Sequence, residues 1–346
     1  MSVRPMFPQA SDSGVRAERV GRAARLTLTR PDHLNALHHP MVRALRRLIR
    51  QVADDPGAEV IVLSGEGRGL CAGGDLLFFH RSITADDGAA VAFWRDLYGL
   101  THDIATSPVP VVSLLDGFVF GGGFGVASRA AVRVVTERSH VGMPETRIGF
   151  YPDTGGLHLL SHARGEVGTC LGLCAQTIGA REALDAGLAE RFTRSVDLPR
   201  LLDLLSLMPM EEALDEVCSP APAGPSWDDR PWVEECFAGD DPQAILDRLL
   251  AHDDSAARAA GETLATRSPT MVAATLRGLR HARSLSVPED LAFELRLSEA
   301  LHRHPDFREG IRARLIDKDG SPAWTPASLA DVDLSFLDPV FVSEAR

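Results

Sequence analysis

The stretch VGMPETRIGFYPDTGG, residues 141–156, places Glu145 directly after Met143-Pro144, and Asp153 directly after Tyr151-Pro152. Acids that merely solvate a surface rarely sit in so apolar and proline-rich a setting. Two carboxylates in one irregular loop therefore raise the question of what chemistry needs both. Two glycine-rich turns, CAGGD (71–75) and FGGGFG (120–125), each follow a run that reads as a buried strand. Glycine lets the backbone approach a ligand closely. Two free N–H groups from separate turns, one of them at a helix N-terminus, make an oxyanion hole.

Other chemistries fail on spacing. FGGGFG lacks the G-x-G-x-x-G pattern and no Lys-Ser/Thr follows it, so neither a dinucleotide loop nor a P-loop is written here. No H-E-x-x-H or histidine cluster points to a metal. His38-His39 and His302 with His304 read as solvated helix-end residues. The five cysteines form no CxxC, and Cys170 and Cys174, one helical turn apart in an apolar segment, read as buried inert thiols. A reducing cytoplasm fits that usage.

The elements that must position these residues are legible from pattern. GVRAERVGRAARLTLTR predicts a hairpin about a Val-Gly turn. Val42, Leu45, Leu48, Ile49 and Val52 share one helical face, and Asp55-Pro56-Gly57 stops that helix. EVIVLSG and VPVVSLLDG predict buried strands, the second running into a helix opened by three glycines, and AVRVVTE and HVGM predict short strands. Strands alternating with helices over 60–145 predict an α/β layered core with parallel pairing. Beyond about residue 155 the strand signal stops: GAREALDAGLAERF and three later segments are helical by period, and the proline-rich 218–232 reads as a linker or long surface loop.

A formal charge of −12 argues against a nucleic-acid or anionic-membrane partner. No apolar run is long enough to cross a bilayer. The N-terminus lacks the apolar core of a secretory signal and carries Asp12 and Glu18, unlike a transit peptide, so residues 1–14 read as a disordered leader.

In combination, TRPDHLNAL, LCAGGD, LLDGFVFGGGFGVA and IGAREALDAGLAERF resemble the crotonase (enoyl-CoA hydratase/isomerase) superfamily over residues 20–195. MPETRIGFYPDTGG and the distant HPDFREGIRARLIDKDGSPAWTPASL (304–329) are similar to its 3-hydroxyisobutyryl-CoA hydrolase branch. The resemblance implies a crotonase-like spiral core of ββα units over 15–205, followed by a helical C-terminal region over 206–346. It implies hydrolysis of an acyl-CoA thioester in valine breakdown, with no metal and no redox cofactor, the CoA arriving with the substrate. The backbone N–H groups of Gly74 and Gly122 would receive the thioester oxygen, a contribution of about 3–4 kcal/mol per donor. Glu145 would attack the carbonyl or deprotonate water, and Asp153 would hold the substrate hydroxyl or assist proton transfer. His33, Leu34, Ala36, Ala72 and Asp75 fall in the substrate-binding segments. The resemblance also allows a trimer or hexamer, or a monomer whose helical tail folds back on itself.

The departures bear on the reaction. Hydratases of this superfamily carry a second glutamate where this chain has Gly125, so hydrolysis suits the remaining acids better than hydration. The hydrolases carry an acid just before the tyrosine of FWRDLYGL, where Leu97 stands, with Asp96 one residue earlier; Leu76-Leu77 stand where an arginine is common. An enoyl-CoA hydratase or isomerase, and a non-catalytic binding or scaffold relative, are the alternatives.

Overall fold

The structure, a computed structural model, describes residues 4, 5 and 13–342. A mixed sheet, parallel from its third strand onward, organises the first part of the chain. Val15–Val20 and Ala23–Leu28 form the expected hairpin, antiparallel with Val20 opposite Ala23, and Gly21 at φ +57° makes the turn between them. Ala23–Leu28 then pairs in parallel with Val60–Gly65, that strand with Val111–Leu115, and that one with Val132–Val135. Most of the leader expected over 1–14 lies outside the described residues. Its Arg4–Pro5 adds two antiparallel residues beside Val15–Val20.

The parallel strands read as near-continuous apolar runs because both faces of such a sheet are covered. Alternation sends Val60, Val62, Val112, Leu114, Val132 and Val134 to one face. There they pack on Leu201 and Leu205 of the helix Leu198–Leu205 and on Ala213 and Leu214 of the helix Met210–Val217. The helix His39–Ala53 buries all five of its expected face residues.

One expectation needs correcting. Strand structure continues past residue 155: Arg191–Phe192 extends the sheet in parallel with Val134–Val135. Two residues are too few to show a period of two, so sequence pattern could not flag them.

Two compact units make up the chain. One comprises Met1–Gly74, Asp96–Val141 and Ile178–Ser226; the other comprises Asp75–Arg95, Gly142–Thr177 and Trp227–Arg346. They are assembled from interleaved segments, so a linear division at residue 205 does not coincide with them. The second unit is built mainly of helices, among them Val167–Cys174, Pro269–Ala282, Val287–Leu301 and Pro305–Ile311.

Candidate active site

In the first unit the two glycine turns lie side by side. Cys71 N–H donates to Phe118 O at 3.2 Å and Phe120 N–H to Cys71 O at 2.9 Å, which ties the 71–74 segment along Phe118–Phe120. Gly123 sits directly on Cys71; a Cβ there would lie 2.6 Å from both Cys71 Cβ and Sγ. A Cβ on Gly73, at φ +97°, would stand 3.2 Å from Phe120 O and 3.6 Å from Gly122 N. Gly122 opens the helix Gly122–Ser128, where the first N–H groups have no intrahelical partner. Leu37 N–H donates to Gly73 O at 2.8 Å, a bond that does not use the Gly74 N–H. Two backbone donors, one per turn, are thus left unengaged among the described residues.

The expected substrate-binding residues His33, Leu34, Ala36 and Ala72 lie in the same unit. Ala72 N–H donates to Leu34 O at 3.0 Å, which lays the 33–37 segment against the glycine turn. Leu34 and Asn35 both take left-handed backbone, at φ +48° and +55°. What holds them there is Asn35, which sequence reasoning passed over. Its Nδ2 donates to Glu66 O and Gly69 O, both at 2.9 Å, and its Oδ1 accepts from Arg30 N–H at 2.8 Å. Asp75 begins the second unit, and its carboxylate caps the helix Leu76–Ala85 by accepting from Phe78 N–H at 3.2 Å.

Glu145 and Asp153 both belong to the second unit. Glu145 opens a tight turn, Glu145–Ile148, whose neighbour Thr146 donates its hydroxyl to Gly172 O and Leu173 O at the end of the helix Val167–Cys174. Gly149, at φ +72°, lies so close to the backbone of Asp306 that a Cβ would meet its oxygen at 2.0 Å; a Cβ on Gly310 would meet Ile148 backbone at 2.3 Å. Both acids are buried, Glu145 at 6% exposure and Asp153 at 7%.

Trp94 Nε1–H donates to Asp153 Oδ2, while the indole lies between the rings of Phe79 and Phe150, at 4.7 and 5.3 Å. Burial pushes the Asp153 carboxyl up to about 6, against the downward pull of the Trp94 and Thr154 hydrogen bonds. Burial, and after it the charge of Asp153, hold Glu145 well above the usual carboxylate range. Glu145 Oε2 is fully buried and makes no hydrogen bond among the described residues. A carboxyl so placed holds its proton more tightly than usual and, once ionised, is suited to act as a base or nucleophile.

The remaining histidines and cysteines carry no such signature. His38 and His304 cap helices, accepting from Met41 N–H and Asp306 N–H. His302, expected to be solvated, is instead buried, with its ring 6.1 Å from Trp94. Cys170 and Cys174 are buried, as expected, and the hydrogen bond that Cys170 makes to Cys174, together with burial, raises Cys170. Burial pushes the Cys71 thiol up to about 12, so it packs rather than reacts.

Residues 23–341 match the family described as enoyl-CoA hydratase/isomerase. The chain belongs to that family. It is 33% identical over 344 residues to the 3-hydroxyisobutyryl-CoA hydrolase, mitochondrial, of Xenopus laevis, covering 96% of this chain and 89% of the relative. Among solved structures, a carnitinyl-CoA dehydratase from Mycobacterium thermoresistibile superposes with a TM-score of 0.91 at 36% identity, over 95% of this chain and 96% of the other. An enoyl-CoA hydratase from Rhodobacter sphaeroides 2.4.1 does so at 0.86 and 37%, over 95% and 97%. The expected crotonase fold, α/β with a helical C-terminal region, is therefore the fold found.

Within this crotonase chain the departures have structural counterparts. Gly125 is buried inside the helix Gly122–Ser128. Leu97 is buried at 2% exposure. Asp96 does not stand in for an acid there: His39, Arg43 and Arg46 take its carboxylate at 2.7, 2.8 and 2.9 Å. Among the described residues, no helix is long and apolar enough to cross a membrane.

Proposed function

We propose that this crotonase hydrolyses an acyl-CoA thioester, with 3-hydroxyisobutyryl-CoA as substrate and 3-hydroxyisobutyrate and CoA as products. The observation that carries the reading is Glu145: buried, raised by that burial and then by the charge of Asp153, and with Oε2 unengaged among the described residues. The hydrolase relatives supply the finer substrate.

In this mechanism the thioester oxygen accepts hydrogen bonds from the N–H groups of Gly74 and Gly122, which stabilise the charge that develops on it. Either Glu145 adds to the carbonyl carbon, the C–S bond breaks and water then cleaves the anhydride, or Glu145 takes a proton from water as that water adds. The CoA thiolate leaves and is protonated in both routes. Asp153 orients the acyl hydroxyl or relays the proton. A reducing compartment suits the five free cysteines, and the cytoplasm is our assignment.

A second reading is hydration or dehydration, favoured by the description of the two solved structures as a dehydratase and a hydratase. Gly125 opposes it, since syn-addition of water uses a second acid on that helix. Thiol release from 3-hydroxyisobutyryl-CoA, measured with a thiol-reactive dye beside Glu145→Gln, tests the proposal. Turnover that vanishes in the variant supports it. Hydration of crotonyl-CoA without thiol release would replace it with the second reading. No turnover and no thermal stabilisation by any acyl-CoA would leave a binding or scaffold protein.

A further inference from the structure

Asp153 is gripped from both sides by one helix. Two residues before it, the Tyr151 hydroxyl donates to Glu294 O at 2.6 Å and lies 2.7 Å from Ser298 Oγ. Two residues after it, Gly155 N–H donates to Glu294 Oε2 at 2.6 Å, and Leu157 N–H donates to Glu294 Oε1 at 2.8 Å. Glu294 and Ser298 belong to the helix Val287–Leu301, and both are completely buried. Between the grips stands Thr154, a β-branched residue at φ +61°. That conformation costs of the order of 1–3 kcal/mol and persists only where the surroundings over-determine it. A buried carboxylate accepting two amide hydrogens is a strong restraint of that kind.

We propose that Glu294 is a positioning residue for Asp153: its two oxygens hold the strained Thr154–Gly155 turn in the conformation that presents the Asp153 carboxylate beside Glu145. The proposal rests on the hydrolase reading, in which Asp153 acts on the acyl group or its proton. Simple helix capping does not explain the arrangement. A cap fixes one end of a helix, whereas here the same helix also fixes the chain ahead of Asp153, through Tyr151. Burial pushes the Glu294 carboxyl up, with the charges of Asp290 and Asp153 adding to that, so an acid at 294 is an expensive way to cap the short helix Gly156–Ser161 that follows Gly155.

The test is Glu294→Gln, which keeps the shape and one acceptor oxygen but turns an N–H toward one of the two amides. In the folded full-length variant, kcat for thiol release should fall by about 10- to 100-fold, the scale expected when a reacting group is displaced by about 1 Å, with KM within about threefold. In an Asp153→Asn background the same substitution should cost little further, because the residue it positions is already gone. Tyr151→Phe, which keeps the buried ring, should show the same pattern more weakly, and it serves if Glu294→Gln does not fold. A kcat within twofold of wild type, or an equal loss in both backgrounds, would overturn the positioning role. Absence of thiol release by the wild type would instead sink the hydrolase reading, and this proposal with it.

Discussion

Trp94 Nε1–H meets Asp153 Oδ2 at 2.9 Å across 59 residues of sequence, with both side chains nearly out of reach of solvent. A carboxylate at that depth needs a donor to exist as an anion at all. The indole supplies one while its faces are held by Phe79 and Phe150.

Trp94→Phe removes that donor and keeps most of the packing. Losing a hydrogen bond to a charged group costs about 1.5–3 kcal/mol. That loss should show in urea unfolding at pH 8, and shrink near pH 4, where Asp153 is protonated in either protein. Because the bond pulls Asp153 down, its loss should raise the Asp153 midpoint above its present value of about 6, which the pH–rate profile of thiol release would register.

Asp153→Asn should stabilise the protein at neutral pH. Folded Asp153 holds its proton more tightly than the unfolded chain does, its carboxyl rising from 3.8 to about 6. The stability this lends is full below the unfolded value and is lost as pH rises through the folded one. Linkage puts the penalty at roughly 3 kcal/mol by pH 8. The melting temperature of the variant should therefore exceed that of wild type at pH 8 and match it near pH 3. Since the Asp153 charge also raises Glu145, any residual activity should have its acid limb moved to lower pH.

Gly123→Ala tests the glycine turns without touching either acid. The added methyl would sit 2.6 Å from Cys71 and must push the two turns apart. Overpacking of this kind costs about 1–3 kcal/mol. Displacing an oxyanion donor should lower kcat by about 10²-fold. A variant with unchanged kcat would mean that the turns do not receive the thioester oxygen.

Asn35→Ala should act on binding more than on chemistry. It strands the carbonyls of Glu66 and Gly69 and the N–H of Arg30, a cost on the order of 3 kcal/mol. The left-handed Leu34–Asn35 backbone should relax, carrying His33 and Ala36 with it. KM for the acyl-CoA should rise more than kcat falls, read from initial rates across substrate concentrations.

How much of this was legible depended on the range of the interaction. The parallel strands declared themselves because apolar β-branched runs persist over several residues, whereas Arg191–Phe192 was too short to do so. Glu145 and Asp153 stood out because prolines and glycines frame them locally. Trp94 and Glu294 did not, since nothing near either of them hints at a partner; Glu294 finds its first amide 139 residues away. Asn35 was hidden for a related reason: its bonds run to backbone atoms, which any sequence would provide. Asp96, one residue before Leu97, is engaged by His39, Arg43 and Arg46, all from one helix 50 to 57 residues earlier, which no local pattern announces.

The interlocked backbones at Gly149 and Gly310 also set a timetable for synthesis. The segment bearing Glu145 leaves the ribosome about 160 residues before the one that closes over it, a wait of roughly 8 to 30 s at ordinary elongation rates. Until Phe307 arrives to stack on Phe150 at 4.5 Å, the nascent chain shows one bare side of the aromatic cluster around Trp94. A premature stop anywhere before residue 305 would therefore yield a client for chaperones and proteases, however complete its catalytic residues.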